Sequence, residues 1–191
     1  MFSDNRILPA LVLVLLTLVS CSRQPIYDQP PDSFQRFLIA NNLQSEYRIL
    51  ERFLHQQNVR DLVPTWQLLQ QGTDWRKHSM PQYAFPDREF WDRMVDTLNF
   101  IRVDLMPRIG RVEVMSGFRT REYNHFAGGA PRSRHLTFSA LDLRPVKPIK
   151  RKKLHAVLQE IWHTRGKQRN LGMGLYDGLR FHIDTGGYRQ W

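Results

Sequence analysis

Three residues in the last third of the chain carry side chains that bind catalytic metal ions. His135 and Asp142 are seven positions apart, and His182 follows in a separate segment. Two imidazoles and one carboxylate are a common ligand set of catalytic zinc, and they leave a fourth position for a water whose pKa the metal lowers. The spacing is too wide for one helical motif, so a folded domain must bring the three ligands together.

Short motifs surround these ligands. In one-letter code they are SGFRTREYN at residues 116–124, GGAPRSRH at 128–135, ALD at 140–142 and HIDTG at 182–186, followed by YRQW at 188–191. In this order and spacing they resemble the zinc D-alanyl-D-alanine carboxypeptidase family, which also includes the vancomycin-resistance D-Ala-D-Ala peptidases and some phage endolysins. The resemblance covers roughly residues 80–191 and rests on several separated motifs.

The resemblance implies a hedgehog-like α+β fold in which helices flank a small antiparallel sheet. It also implies one Zn²⁺ held by His135, Asp142 and His182, and hydrolysis of peptidoglycan stem or cross-link peptides by metal-activated water. Arg119 matches the arginine with which the family faces its substrate, since a planar guanidinium suits a carboxylate or an oxyanion. The alternative for Arg119 is a structural ion pair at the end of a strand.

The catalytic base is the point at which the chain departs from the family. Related enzymes often carry Glu or Asp three residues before the last ligand, where this chain has Leu179. Two carboxylates remain as candidates. Asp184 shares a strand face with His182 because the side-chain period is two, and Asp177 lies in the turn before that strand. We expect Asp184 to be the base. A second departure is Phe138, where the family usually has glycine.

Two functions of different classes fit these observations. An intact set of two histidines and one aspartate favours the peptidase, with the bond that is cleaved (D,D or L,D, exo or endo) left open. Loss of the acid at position 179 favours a non-catalytic lipoprotein that retains the fold and binds murein or a protein partner. The net charge of +10 would by itself also suit a binder of polyanions.

The ligands require a scaffold of helices and strands. Apolar residues at helical spacing predict a helix over residues 87–106, with Asp87 as its cap and with Pro107 helping to end it. Two further helices are predicted, at residues 120–126 and 148–164. Strands are predicted at residues 111–115, 139–143, 172–176 and 180–184. The last two form a hairpin around Asp177-Gly178, a favoured turn pair.

The chain divides into four predicted parts. Residues 1–20 form a signal peptide, 21–32 a proline-containing tether, 33–79 a helical N-terminal extension, and 80–191 the peptidase-like domain. In the extension, apolar residues at helical spacing predict helices over residues 33–57 and 61–71. This segment carries no cluster of catalytic side chains, and we expect it to pack against the domain or to contact a partner.

The first part resembles the signal of a bacterial lipoprotein. An apolar run over residues 7–19 is too short to span a bilayer, and it is followed by Cys21 in Leu-Val-Ser-Cys, which resembles a lipobox. Cys21 is the only cysteine in the chain, which excludes an intramolecular disulfide and makes acylation natural. Ser22, rather than Asp, favours sorting to the outer membrane, facing the periplasm. An ordinary cleaved signal peptide with an incidental cysteine is the alternative.

The positive charge indicates the class of partner. With 28 Lys and Arg against 18 Asp and Glu, the chain favours acidic polymers. Behind a signal peptide these are peptidoglycan and lipid head groups. We therefore expect peptidoglycan peptides and, through Cys21, the membrane as partners, and not nucleic acid. The densest basic run, residues 147–153, is either a solvated helix face or a murein contact. The oligomeric state is not indicated.

Cys21→Ala should leave the protein unanchored or its signal unprocessed, because the residue that would carry the lipid is lost. Membrane fractionation and the mass of the N-terminal peptide check this outcome. Ser22→Ala is the control and should stay anchored. A processed Cys21→Ala protein that still fractionates with the outer membrane would show that the lipobox interpretation is wrong.

Overall fold

The computed structural model describes residues 29–191. The signal peptide predicted for residues 1–20, the acylated Cys21 and most of the tether predicted for 21–32 lie outside the described residues. Within the described part, no helix has both the length and the apolar character needed to cross a bilayer. The fold is α+β, as predicted, with helices flanking a small five-stranded sheet.

The described chain begins with two helices, α1, Asp32–Ala40, and α2, Gln44–Gln56. The prediction of one continuous helix over residues 33–57 is wrong. Asn42 adopts a left-handed conformation, with φ of 55°, that interrupts the helical path. Asn occupies this region more often than most other non-glycine residues. A 3₁₀ turn, Arg60–Leu62, and a short helix α3, Thr65–Leu68, replace the helix predicted for residues 61–71.

The central helix extends beyond its predicted end and is irregular. It comprises a 3₁₀ turn, Arg88–Phe90, then α4, Trp91–Phe100, a π-helical turn, Ile101–Leu105, and α5, Met106–Ile109. Asp87 precedes the first turn, but its side chain makes no capping hydrogen bond. Pro107 does not end the helix, contrary to the prediction, because it lies in the first turn of α5, where a missing N–H costs little. Gly110, with φ of 78°, follows the last turn.

One mixed sheet contains β1, Val112–Ser116; β2, Ala140–Pro145; β3, Gly172–Leu175; β4, Phe181–Asp184; and β5, Arg189–Gln190. The strand order is β1-β2-β4-β3-β5, and neighbours are antiparallel except for β3 and β5, which are parallel. The predicted antiparallel sheet is therefore found for four strands. The predicted hairpin is β3–β4, with Gly178 in a left-handed conformation at its turn. The two residues of β5 were not predicted, because so short a strand carries no periodicity.

The register of the sheet places two of the predicted ligands side by side. Asp142 on β2 is paired with His182 on β4, and Ala140 is paired with Asp184. Ser116, at the end of β1, lies opposite Asp142 on its other side. Paired residues of an antiparallel ladder have their side chains on the same face. Asp142 and His182 therefore project together from one face of the sheet.

A continuous cluster of buried apolar side chains connects the N-terminal helices with the sheet. It includes Phe34 of α1, Leu50 of α2 and Ile183 of β4, each completely buried. Two later helices complete the fold, α6, Arg121–Phe126, and α7, Arg151–Arg165. Helix α7 adds three buried side chains to the cluster: Leu154, Leu158 and Ile161. The N-terminal helices thus pack against the rest of the chain, while the domain boundary near residue 80 stays a prediction.

Phe34→Ala should lower the free energy of unfolding by roughly 3–5 kcal/mol, because a cavity replaces a completely buried ring. The ring contacts Tyr47 and Tyr83 edge to face, with centroid distances of 5.1 Å to each. Urea unfolding followed by circular dichroism measures the change. Ile39→Ala on the same helix, where the side chain is 61% exposed, is the control and should change the free energy by less than about 0.5 kcal/mol. A separate early transition in Phe34→Ala would contradict the shared core.

Candidate metal centre

His135 is presented by a short 3₁₀ turn, Arg134–Thr137. The Oγ of Ser133 accepts a hydrogen bond from the backbone N–H of His135 at 3.4 Å and caps this turn. The turn ends at Phe138, whose φ of 51° is left-handed. This conformation costs a non-glycine residue roughly 1–2 kcal/mol. Complete burial of the ring, which packs edge-on against Phe118, offsets the cost. Phe138 thus adopts the backbone conformation that favours glycine.

The three predicted ligands converge in the structure. Nε2 of His135 lies 3.2 Å from Nδ1 of His182 and 3.4 Å from Oδ1 of Asp142. Nδ1 of His182 lies 3.0 Å from the same carboxylate oxygen. Two atoms bound at 2.0–2.1 Å to a tetrahedral zinc ion lie roughly 3.3 Å apart. The donor atoms therefore have the separation that a tetrahedral metal ion requires, and all three residues are buried.

The outer nitrogen of each imidazole has a partner. Nδ1–H of His135 donates to the backbone carbonyl of Gly117 at 2.7 Å, and Nε2–H of His182 donates to Oδ2 of Asp184 at 2.9 Å. A proton held on the outer nitrogen leaves the inner nitrogen with a free lone pair. In their neutral forms both rings therefore have the tautomer and orientation of metal ligands, which makes the residues present a good fit to a divalent metal ion.

Burial and neighbouring charges set the protonation of the three groups. Burial lowers the pKa of His135 to about 4, so this ring is neutral at neutral pH. Burial alone would raise the pKa of Asp142, but its contacts with His135 and His182 hold it well below its usual range. Burial alone would lower the pKa of His182, but its hydrogen bonds to Asp142 and Asp184 raise it above the usual value. The site therefore holds an ionised carboxylate between two imidazoles.

Two arginines hold the outer oxygen of Asp142. Arg119 donates to Oδ2 through Nη2 at 2.8 Å, and Arg180 donates to the same oxygen through Nη2 at 2.5 Å. Arg119 thus forms the ion pair considered as the alternative to substrate binding, and its side chain is only 11% exposed. Arg180 was not predicted. A signal existed, because residues 180, 182 and 184 share one face of an extended strand.

The loop that carries Arg119 rests on a segment assigned by sequence to the N-terminal extension. The backbone carbonyl of Gln71 accepts hydrogen bonds from Nε of Arg119 at 3.2 Å and from Oγ of Ser116 at 2.5 Å. The side-chain oxygen of Gln71 accepts from the N–H and the hydroxyl of Thr120. Gln71 is completely buried. Gln71 was not predicted, because it lies 48 residues from Arg119 and belongs to no motif.

Asp184, predicted as the catalytic base, lies behind His182 rather than in front of it. Its oxygens accept from Nε2 of His182, from the N–H of Gly186 at 2.8 Å, and from both terminal nitrogens of Arg189 at 3.1 and 2.7 Å. The residue is completely buried. Its contacts therefore favour a role in orienting His182 over the predicted role as a base. Arg189, which holds Asp184 in turn, was not predicted.

Asp177, the second candidate base, is not brought to the ligands. It lies in the turn between β3 and β4 with a fully exposed side chain, and its carboxylate pairs with Arg151 of α7 at 3.3 Å. The same-face rule could not exclude Asp177, because a turn residue has no fixed face. The structure directs this carboxylate to solvent.

His135 and His182 lie on the wall of a cleft of about 470 Å³. Four arginines line it: Arg119, Arg132, Arg134 and Arg189. The ring of Trp191 lies 5.0 Å from that of His182, and Tyr176 lies on the same lining. None of the described residues that line this cleft is Asp or Glu. The cleft is therefore positively charged and suits a negatively charged ligand.

An α+β fold that presents two imidazoles and a carboxylate at an open cleft defines the arrangement of a metal-dependent hydrolase. The family model described as peptidase M15 matches residues 60–184, which is well over half of the chain. The chain belongs to the peptidase M15 family, whose members are metal-dependent. No curated protein and no solved structure matches it significantly. The matched range begins upstream of Gln71, in agreement with the contacts between that residue and the Arg119 loop.

Asp184→Asn should weaken zinc binding roughly 10–100-fold, because the carboxylate that orients the ligand imidazole is lost. Competition with a chromogenic chelator measures the dissociation constant. Asp177→Asn is the matched control, since its carboxylate is exposed and lies away from the ligands, and it should bind zinc as the wild type does. If Asp184→Asn instead binds zinc normally and loses hydrolytic activity, Asp184 acts as the base, as the sequence predicts.

Proposed function

We propose that this M15 peptidase is a zinc enzyme that hydrolyses peptidoglycan stem or cross-link peptides, of the D-Ala-D-Ala carboxypeptidase or endopeptidase type. The observation that carries the proposal is the cluster of His135, Asp142 and His182, with donor atoms 3.0–3.4 Å apart. When bound, zinc would supply an activated water and polarise the scissile carbonyl. Nitrogen and carboxylate ligands in this number are typical of catalytic zinc.

The surrounding side chains support this use of the cluster. Arg119 and Arg180 occupy Oδ2 of Asp142, which leaves Oδ1 directed at the two imidazoles. Asp184 and the carbonyl of Gly117 fix the two rings from outside. No rearrangement of the ligands is then needed for metal binding. Such preorganisation is what a catalytic site requires of the residues around its ligands.

The charge of the cleft supports a peptidoglycan substrate. Stem peptides carry free carboxylates, and the four arginines give the lining a positive charge that attracts them. Arg132 is exposed on this lining, where an extended peptide could reach it. A neutral or basic peptide would find no carboxylate partner among the described residues of the lining.

The proposed location is consistent with this substrate. We propose that lipid on Cys21 anchors the protein to the outer membrane, with the catalytic domain in the periplasm. The support is the apolar run and the Leu-Val-Ser-Cys sequence near the start of the chain. The tether of residues 21–32 would separate the membrane from α1, which begins at Asp32.

A non-catalytic murein- or partner-binding lipoprotein is the second candidate. The observation that favours it is the lack of a base: Leu179 replaces the acid found in relatives, and no Asp or Glu is among the described residues that line the cleft. The same positive cleft would then hold peptidoglycan without cleaving it. The two candidates differ in whether products are released.

Purified sacculi test the proposal. The zinc-loaded, detergent-solubilised wild type should release peptides or D-alanine, which mass spectrometry of the soluble fraction identifies. His182→Ala and His135→Ala should lose zinc by orders of magnitude, because each removes one of three ligands, and should release nothing. His163→Ala, an exposed histidine of α7, is the control and should behave as the wild type.

The decisive contrary result is wild-type protein that binds zinc and pellets with sacculi but releases no product. That outcome supports the binding lipoprotein and excludes the peptidase. The masses of the products distinguish exo from endo cleavage and D,D from L,D bonds.

A further inference from the structure

Tyr176 lies at the end of β3 with its hydroxyl directed towards the ligands. The backbone N–H of Tyr176 donates to the carbonyl of Arg180 at 3.3 Å, which closes the β3–β4 turn. The guanidinium of Arg180 lies over the phenol ring, 5.2 Å from its centroid. The ring is thus held from two directions by the hairpin that also carries His182.

The hydroxyl of Tyr176 approaches the inner face of the metal site. It lies 3.4 Å from Oδ1 of Asp142, the oxygen that also faces both imidazoles. This separation is longer than the 2.5–3.0 Å usual for O–H···O hydrogen bonds, so the hydroxyl is only weakly engaged by the carboxylate. Tyr176 also lines the cleft together with His135 and His182. A peptide in the cleft would therefore meet this hydroxyl beside the ligands.

Three of the four arginines that line the cleft are more strongly engaged than Tyr176. The guanidinium of Arg119 donates to Asp142, to Ser116 and to Gln71. Arg189 holds Asp184, and Arg134 donates to the carbonyl of Gly186. These contacts are part of the structure that positions the ligands. Tyr176 combines proximity to the ligands with a donor that can be redirected to a bound peptide.

We propose that Tyr176 is a catalytic residue, whose hydroxyl donates a hydrogen bond to the oxygen of the scissile carbonyl as that oxygen becomes negatively charged. The inference rests on the proposed peptidase function. In the reaction, the oxygen of water bonds to the carbonyl carbon and the C–N bond breaks. The proton that water loses ends on the leaving amine, and Tyr176 keeps its own proton throughout. A donor placed in advance stabilises the oxyanion because no group must reorganise around it.

The test compares wild type with Tyr176→Phe, which keeps the ring and its contact with Arg180 but removes the hydroxyl. In turnover of a pentapeptide that ends in D-alanyl-D-alanine, kcat should fall roughly 10²–10³-fold, as for loss of one oxyanion donor, while KM changes little. Zinc content should equal that of the wild type. The phosphinate analogue of D-alanyl-D-alanine, which resembles the tetrahedral transition state, should bind more weakly by a factor similar to the loss in kcat/KM.

Tyr188→Phe is the matched control. Tyr188 is 43% exposed, and its ring stacks on Trp162 at 4.6 Å, away from the ligands. This variant should retain wild-type kcat. Tyr176→Phe with kcat within threefold of the wild type, or with reduced zinc content, would overturn the proposed role of Tyr176 alone. A wild type that turns over neither the pentapeptide nor sacculi would instead overturn the peptidase function, and the inference with it.

Discussion

The buried negative charge of Asp142 is the constraint on which the site depends. An unpaired carboxylate without solvent would cost several kcal/mol, yet Asp142 is completely buried. Two guanidiniums meet one of its oxygens, and two imidazoles meet the other. Each partner must itself be held in position. Gln71 holds Arg119, Asp184 holds His182, and the carbonyl of Gly117 holds His135. These three contacts therefore support the partners of one buried carboxylate.

The sheet positions some of the side chains around Asp142, and the loops position the others. Pairing of β2 with β4 sets Asp142 beside His182 without any help from side chains. His135 and Arg119 come from irregular segments, and their positions depend on individual hydrogen bonds to backbone carbonyls. A ladder repeats the same geometry at every residue, whereas a loop must fix each residue separately. The loop residues are therefore the ones that need buried polar partners from a distant part of the chain.

The hairpin and the α+β class could be predicted from local pattern, and the meeting of His135, Asp142 and His182 could be expected from the resemblance of their flanking motifs to a known family. The contacts of Asp184 and Asp177 could not. Strand periodicity places Asp184 on the face of His182, but it does not tell which nitrogen of the ring the carboxylate reaches. The support from Gln71 connects segments far apart in sequence, and no periodicity encodes such a contact. The irregular course of the central helix could not be predicted either. A π-helical turn precedes Pro107, which then lies in the first turn of α5, where proline is tolerated.

Phe138 limits how the site can respond to ligands. Its backbone favours glycine, while its side chain fills the core beside Phe118. Glycine would relax the backbone but leave a void, and another large residue would keep the backbone cost and need a different fit. Position 138 therefore has to meet two opposing requirements, a left-handed backbone and a filled core. The buried ring of Phe138 also holds the turn that carries His135 in place. Induced fit at this turn would require the core to open. We therefore expect the backbone of this turn to keep the same conformation in the free and the ligand-bound protein.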